Sequence, residues 1–480
     1  MNYIVNGFHN KALSSLIFGV LKYFKIEYVH IIYEDVKWKN PSKMKMTLYN
    51  VKDLTEGNYK VNWEKLIPLD ENLIERMNDC EVVVLKMMDR LPYELSYDER
   101  KRLYLKHLRY WNHIFETSKI DLFISSNIPH EIYDYVIYCL CKLKKIPTIL
   151  FSQTNISDTV TMMENWKSNM KTIQTKYKKL LKKYKYAGES EIVLTGRIKR
   201  DFETSVDKTI PRRFDILIKK PSHKVIKNII SLLIKLNFDR VLYLIRQPHL
   251  LIRSVTTYIG RIMLDRKMTR FYNRNTTTPD FSKKYIYFPL HMQPEVSTSP
   301  LAGSFVNQIL IVQMIAYHLP KNVYIYIKEN PYQNAVGRSM NFYKELLNIS
   351  QVRFVPISLD TYLLTNNSVA VATATGTVGL EALYRCKPVL MFGHNFYQYA
   401  KGIFQIESNS DCHEAIKTIF SGNFKLTVKD IKIFLKSLED TTIEGYIDPD
   451  YKINTYVTDN INSKNISRSL IKKISSIYNP

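Results

Sequence analysis

Short apolar, β-rich runs alternate with stretches of helical spacing along most of the chain. In the first third, residues 3–5, 28–33, 81–85, 121–125 and 147–151 read as strands, and 13–24 and 133–143 as helices with apolar positions three and four apart. A basic, weakly periodic stretch follows, with one helical apolar segment at 225–238. The rhythm then sharpens: 285–289, 323–327, 352–355, 369–374 and 389–392 are predicted strands, and 305–319, 342–347 and 377–385 predicted helices. Strand, helix, strand in this order predicts an α/β protein whose parallel sheets are covered on both faces.

At about 150 residues per domain, 480 residues predict two or three domains. The expected division is an α/β domain over 1–160, a basic helical insert and linker over 161–280, a second α/β domain over 281–430 and a helical tail over 431–480. The Asn- and Thr-rich stretch 273–279 marks the main boundary.

Composition narrows the function classes. Hydrophobic residues make up 45 % of the chain, enough for a sizeable core. Basic residues outnumber acidic ones, 69 to 45, which implies attraction to a polyanion, an anionic lipid or a phosphorylated substrate. Neither zinc-finger spacing nor an aromatic-basic platform accompanies that charge, so nucleic acid is not the expected partner. The five cysteines lack metal-ligand spacing and fit reduced thiols. No run reaches the roughly 18 apolar residues of a spanning helix, and the chain opens on a strand pattern rather than a signal peptide. A cytoplasmic location follows as the expectation, with any membrane contact peripheral.

One segment suggests such a contact. Met170, Ile173, Tyr177, Leu180 and Tyr184 form an apolar stripe within 167–185, and lysines fill the other faces. This cationic amphipathic helix reads first as a solvated helix packed on its own domain, and it also fits an anionic membrane surface.

In parallel sheets, ligands bind beyond the carboxyl ends of the strands, so the residues that follow each strand are the candidates for chemistry. After 285–289 come His291, Gln293 and Glu295, able to move a proton or orient a sugar, or to cap a turn. After 323–327 come Lys328, Glu329 and Asn330, a phosphate neutraliser with hydroxyl-binding partners, or a surface ion pair. After 369–374 come Thr375, Gly376 and Thr377, with Glu381 one turn along. Glycine permits close approach there, and the amides opening the next helix suit a phosphate. Gly393 and His394 follow 389–392 and are expected to line the same crevice. In the first half, His130 and Glu131 follow 121–125 and are candidate bases. No metal constellation is visible, and no cofactor is called for.

The string 287–295, Tyr-Phe-Pro-Leu-His-Met-Gln-Pro-Glu, resembles the capsule polysaccharide synthesis family, as do Pro300, Gly303 and Gln308. Lys328-Glu329-Asn330-Pro331, the run 373–382, and Lys387-Pro388-Val389 with Phe392-Gly393 continue the pattern in order and spacing. The resemblance implies a GT-B architecture of two Rossmann-like domains facing across a cleft. It implies glycosyl transfer from a nucleotide sugar, with nucleotide on the second domain and a polysaccharide or glycolipid acceptor on the first. Better-known relatives are similar to retaining transferases of 3-deoxy-manno-octulosonic acid (Kdo) that use CMP-Kdo, and a site of lysine, hydroxyls and a helix dipole would be metal-independent. Such relatives commonly carry histidine where this chain has Asn330, and asparagine does not transfer a proton near neutral pH. That departure, with the lysine-rich helix, leaves a second reading open: a non-catalytic, membrane-peripheral subunit of capsule assembly or export.

Overall fold

The computed structural model describes residues 1–9, 11–34, 44–91, 95–167, 171–206, 248–333, 337–448, 451–452 and 455–478. The helical segment expected at 225–238 lies outside them.

The first sheet is built on β1 (Asn2–Asn6), β2 (Tyr28–Tyr33), β3 (Lys45–Asn50), β4 (Leu122–Ser125), β5 (Thr148–Gln153) and β6 (Thr159–Met163). The second takes β7 (Tyr285–Pro289), β8 (Tyr324–Lys328), β9 (Val352–Phe354), β10 (Ala370–Thr373), β11 (Val389–Met391) and β12 (Ile403–Gln405). A two-residue strand, β13 (Ile443–Glu444), returns to the first sheet beside β6. The strand orders are β13-β6-β5-β4-β1-β2-β3 and β12-β11-β10-β7-β8-β9. Each contains the Rossmann order 3-2-1-4-5, and every pairing is parallel except those made by β6. The order reverses between β1 and β4 and again between β7 and β10, the two places where such sheets open a crevice.

The sequence marks these strands because most are buried on both faces. Four of the five residues of β7 are buried, as are all four of β4 and β10, so their apolar runs are continuous. The run 81–85 misleads for a related reason. Its valines favour a strand, yet it lies inside the helix Asn78–Met87. Cys80, Glu81, Val84 and Met87 face inward at helical spacing while Val82 stays 71 % exposed, so packing overrides local propensity. The helix expected from 305 begins at Gln308, capped by Asn307, after a short 3₁₀ turn at Gly303–Val306.

The lysine-rich helix spans Lys171–Lys183 and buries Ile173, Tyr177 and Leu180 within the protein. Its partner is the helix Val428–Thr441: the Tyr177 and Phe434 rings meet edge-on at 5.5 Å, and Lys176 pairs with Asp440 at 2.8 Å. Ile173, Tyr177 and Leu180 are therefore not available to a membrane, while the lysine face stays outside; Met170 of the expected stripe lies outside the described residues. Among the described residues, no helix is long and apolar enough to cross a bilayer. The tail is likewise built in. Its last helix, Asp459–Tyr478, packs against Lys11–Tyr23 of the first domain and buries Ile466, Leu470 and Ile474 there.

Candidate functional site

The carboxyl ends of both sheets open onto one cleft of about 1110 Å³. Its walls take His130, Glu131 and Asp134 from the first domain and His291, Glu295, Asn330 and Gly376 from the second. Arg90 ties the walls together. Its guanidinium donates to the carbonyl of His130 on one side and of Ser299 on the other.

On the second-domain wall, His291 organises the turn after β10. Its Nε2 accepts from the backbone N–H groups of Ala374 (2.8 Å) and Thr375 (3.3 Å). Those bonds place the lone pair on Nε2 and the proton on Nδ1. Burial, reinforced by Arg338, lowers its pKa to about 4, so the ring is neutral and cannot serve as a proton donor-acceptor relay near pH 7. The imidazole lies against Gly376, where a Cβ would stand 2.6 Å from His291 Cε1 and 3.1 Å from Nδ1. Glycine is required here for close approach, since φ is an ordinary −70°. The helix Thr377–Tyr384 starts directly after it, and its first residue, Thr377, lines the cleft.

The loop bearing His291 is clamped from behind. The Gln308 side chain accepts from the His291 N–H (2.8 Å) and donates to its carbonyl (3.0 Å). Arg338, 5 % exposed, donates to the same carbonyl (2.7 Å), to Gln293 Oε1 and to Glu329 Oε2 (3.0 Å). Arg338 and Tyr397, whose hydroxyl donates to the Gly376 carbonyl, were not candidates from sequence. Nothing local marks their hold on the site loops, because the Gly376 carbonyl lies 21 positions from Tyr397, and Gln293 and the His291 carbonyl lie 45 and 47 positions from Arg338.

On the first-domain wall, His130 Nδ1 donates to the Ile128 carbonyl (2.7 Å), which leaves Nε2 as a lone pair. Burial, opposed by the neighbouring Glu131 carboxylate, holds the imidazole below its ordinary value. Nε2 stands 3.6 Å from Glu131 Oε1. Asp134, fully buried beneath, accepts from the His130 N–H (3.3 Å). Across the cleft, burial raises the Glu295 carboxyl, offset by the Ser297 hydroxyl and by Arg90.

The candidates thus divide. His130, Glu131, His291, Glu295, Asn330, Thr375, Gly376, Thr377 and His394 line the cleft, while Gln293, Lys328, Glu329, Glu381 and Gly393 do not. Lys328 and Glu329 leave the strand end in opposite directions. Lys328 Nζ donates to the Leu359 carbonyl (2.5 Å) and Thr361 Oγ1 (3.0 Å), whereas Glu329 turns to Arg338 and Tyr343. Lys328 therefore does not neutralise a phosphate in the cleft, and the two do not pair. Gln293 spends its amide on Val306 and Arg338. Glu381 accepts from Thr377 Oγ1 (3.3 Å). Gly393 serves packing, since a Cβ would stand 2.6 Å from the Leu301 carbonyl oxygen. Thr375 lines the cleft but its hydroxyl is committed to the Ser297 carbonyl (2.6 Å). Asn330 Oδ1 accepts from the Tyr332 N–H (2.9 Å), so it presents amide N–H groups and no base. His394 packs edge-on against Trp166 at 5.7 Å. Among the described residues, no group of His, Cys, Asp and Glu is arranged to hold a metal ion.

The buried imidazoles make stability depend on acid. Burial lowers His291 and His30 to about 4 and, with Lys106 nearby, His107 to about 3, from an ordinary 6.5. The unfolded chain then takes up protons first as pH falls, so stability is intact above about 6.5 and is lost toward 3–4. Each group withdraws about 2 kcal/mol by pH 5. The urea midpoint at pH 5 should lie well below that at pH 7, and equal midpoints would contradict the neutral-imidazole assignment.

Residues 279–428 match the family model described as capsule polysaccharide biosynthesis protein. No curated protein matches the chain. Among solved structures it is similar to the β-Kdo 2,7 transferase KpsC of Thermosulfurimonas dismutans, at 12 % identity and a TM-score of 0.31 over 85 % of this chain and 97 % of that one. It is also similar to the UDP-GlcNAc 2-epimerase of Methanocaldococcus jannaschii, at 12 % identity and 0.27 over 89 % and 93 %. A glycosyltransferase of Rickettsia africae matches at 10 % and 0.28 over 100 % and 98 %. The two-domain Rossmann arrangement itself rests on the strand orders and the shared cleft. The segment that carries the Gly376 turn, the His291 loop and the Arg338 clamp, residues 279–428, belongs to the capsule polysaccharide biosynthesis protein family.

Proposed function

We propose that the chain is a glycosyltransferase of capsule assembly that moves a sugar from a nucleotide-activated donor to a saccharide or glycolipid acceptor across the cleft. One observation carries this reading: a helix N-terminus opens at Gly376 on one wall, and an imidazole with a free Nε2 stands on the other. The donor's phosphate meets the first-turn amides of Thr377–Tyr384, the His291 Nδ1–H and the Asn330 amide. The acceptor hydroxyl faces His130. Its oxygen bonds to the anomeric carbon as the bond from that carbon to the phosphate oxygen breaks. The nucleotide leaves with the electron pair, and His130 Nε2 takes the hydroxyl proton. Glu131 steadies the resulting imidazolium. Among the described residues no lysine or arginine lines the cleft, so dipoles and neutral N–H groups hold the anion. Such a site suits a single phosphate, as in a CMP-linked sugar, better than a diphosphate.

Calorimetric titration with CMP, CDP and UDP tests the reading. Wild type should bind at least one of them, CMP most tightly. Gly376→Val should weaken it by about 100-fold or more, because its side chain collides with His291 and closes the turn. Absence of binding by all three nucleotides sinks the proposal.

A further inference from the structure

We infer that the exposed lysine face of the helix Lys171–Lys183, continued by Lys185 and Tyr186, docks the protein on a bilayer surface that carries anionic phospholipid. The inference does not depend on the chemistry of the cleft.

The helix sorts its residues by face. Ile173, Tyr177 and Leu180 are buried against the chain, and Lys171, Lys178 and Lys182, seven and four positions apart, form a stripe opposite them. Lys179 and Lys183 make a second row beside it, and all five are exposed. No aspartate or glutamate occurs over 165–188. The carboxylates of neighbouring segments are spent on other cations: Asp440 on Lys176 (2.8 Å), Glu189 on Lys432 (2.8 Å), Asp430 on Lys401 (2.9 Å) and Glu439 on Lys436 (3.0 Å). Glu191 turns back to accept from the Gly188 N–H. Among the described residues, none of the five exposed lysines pairs with a carboxylate, so the face keeps its full charge.

Three features fit a lipid surface better than a soluble anion. First, the stripe from Lys171 to Lys182 runs along about 16 Å of helix, which offers a flat charged face and no pocket. Second, apolar groups border the lysines. Leu181 is exposed, and Tyr186 is 90 % exposed with Lys185 Nζ 5.0 Å from its ring centre. Tyrosine beside lysine suits the headgroup level, where the ring meets the apolar boundary and the ammonium meets phosphate. Third, the cationic run starts at the cleft. Lys167 Nζ stands 5.4 Å from the ring centre of Trp166, and the Lys167 carbonyl accepts from Gln398 Nε2 (3.4 Å). Trp166 and Gln398 both line the cleft. Lys171 follows four residues on, within about 14 Å of extended chain, so a bilayer held by this face runs close to the cleft wall.

Sedimentation of the full-length chain with lipid vesicles provides the test. The probes are vesicles of phosphatidylcholine alone, vesicles with about a third phosphatidylglycerol, and dextran sulfate as a soluble polyanion. Wild type should bind the anionic vesicles about tenfold or more tightly than the neutral ones, with the margin shrinking as salt rises. The variant Lys178→Gln, Lys179→Gln, Lys182→Gln, Lys183→Gln should bind them about 100-fold or more weakly, since each lysine at such a surface is worth about fivefold. A control, Lys22→Gln, Lys25→Gln, Lys52→Gln, Lys65→Gln, removes the same charge from exposed positions of the first domain and should change binding by less than about threefold. Tyr186→Ser, a single change at an exposed position, should weaken binding about threefold and tests the face without altering its charge. Circular dichroism and nucleotide affinity should match wild type throughout, because none of these side chains is buried or lines the cleft. Equal binding to neutral and anionic vesicles, equal losses in the two quadruple variants, or binding to dextran sulfate with none to vesicles overturns the inference. Absence of nucleotide binding in the calorimetric titrations counts against the cleft reading alone.

Discussion

Replacing His130 by asparagine is expected to lower kcat for sugar transfer by about 10²- to 10⁴-fold while nucleotide affinity changes by less than about threefold. Asparagine is chosen because its amide nitrogen falls near the position of Nδ1 and can keep the bond to the Ile128 carbonyl, so the loop holds its shape. What it removes is the Nε2 lone pair. The pH profile separates this role from a structural one. Burial keeps the imidazole below its ordinary 6.5, so the unprotonated form persists into mild acid and the acid limb of kcat should lie below pH 6.5. That limb should vanish in His130→Asn and survive in Glu131→Gln, which instead shifts it downward by removing a carboxylate that favours the imidazolium. Transfer by His130→Asn at the wild-type rate would remove His130 from the reaction and pass the role to Glu131 or Glu295.

How much of this was legible in the sequence depended on the range over which each residue acts. Strands such as 285–289 and 369–373 announce themselves because both faces are buried and the apolar run is unbroken. The Gly376 turn was legible because glycine, threonine and a helical pattern fall together after a strand. The reversal of strand order that creates the cleft follows from the alternation of elements, so the wall residues His130 and His291 could be picked as strand-end groups. Their roles could not. His291 is held neutral by burial and by Arg338, and its tautomer is set by amides more than 80 positions away, which no local pattern reveals. Lys328 and Glu329 looked like one motif, yet adjacent residues at a strand end face opposite ways, and each found a different partner. The lysine-rich helix showed an apolar stripe in full, but the helix that covers it, Val428–Thr441, lies some 250 residues on by sequence. Pattern alone cannot tell a membrane from a distant part of the same chain. The charge gave the opposite of its plain implication: the excess of basic residues lies elsewhere than the described walls of the cleft.

Arg338→Met should cost about 3–5 kcal/mol of folding stability, the largest loss expected from any single change near the site. The Arg338 side chain is fully shielded and pairs with Glu329, itself 5 % exposed, at 3.0 Å. Removing the guanidinium leaves the Glu329 carboxylate buried with only the Asn330 N–H and the Tyr343 hydroxyl as donors. The carbonyl of His291 also loses a donor, and so does Gln293 Oε1. Arg338→Lys should recover little, because an ammonium cannot span three acceptors that the planar fork reaches together. Adding Glu329→Gln to Arg338→Met should recover a substantial part, since the unpaired charge is what makes the single change severe. Denaturation in urea, followed by circular dichroism on the four variants, reads these differences directly. Nucleotide affinity adds an independent readout: the clamp sets the loop that aims His291 at the Gly376 turn, so the double variant should regain stability while still binding nucleotide more weakly than wild type. A single variant as stable as wild type would show that the buried pair does not hold this loop, and the assignment of Arg338 as the positioning residue of the donor wall would fall with it.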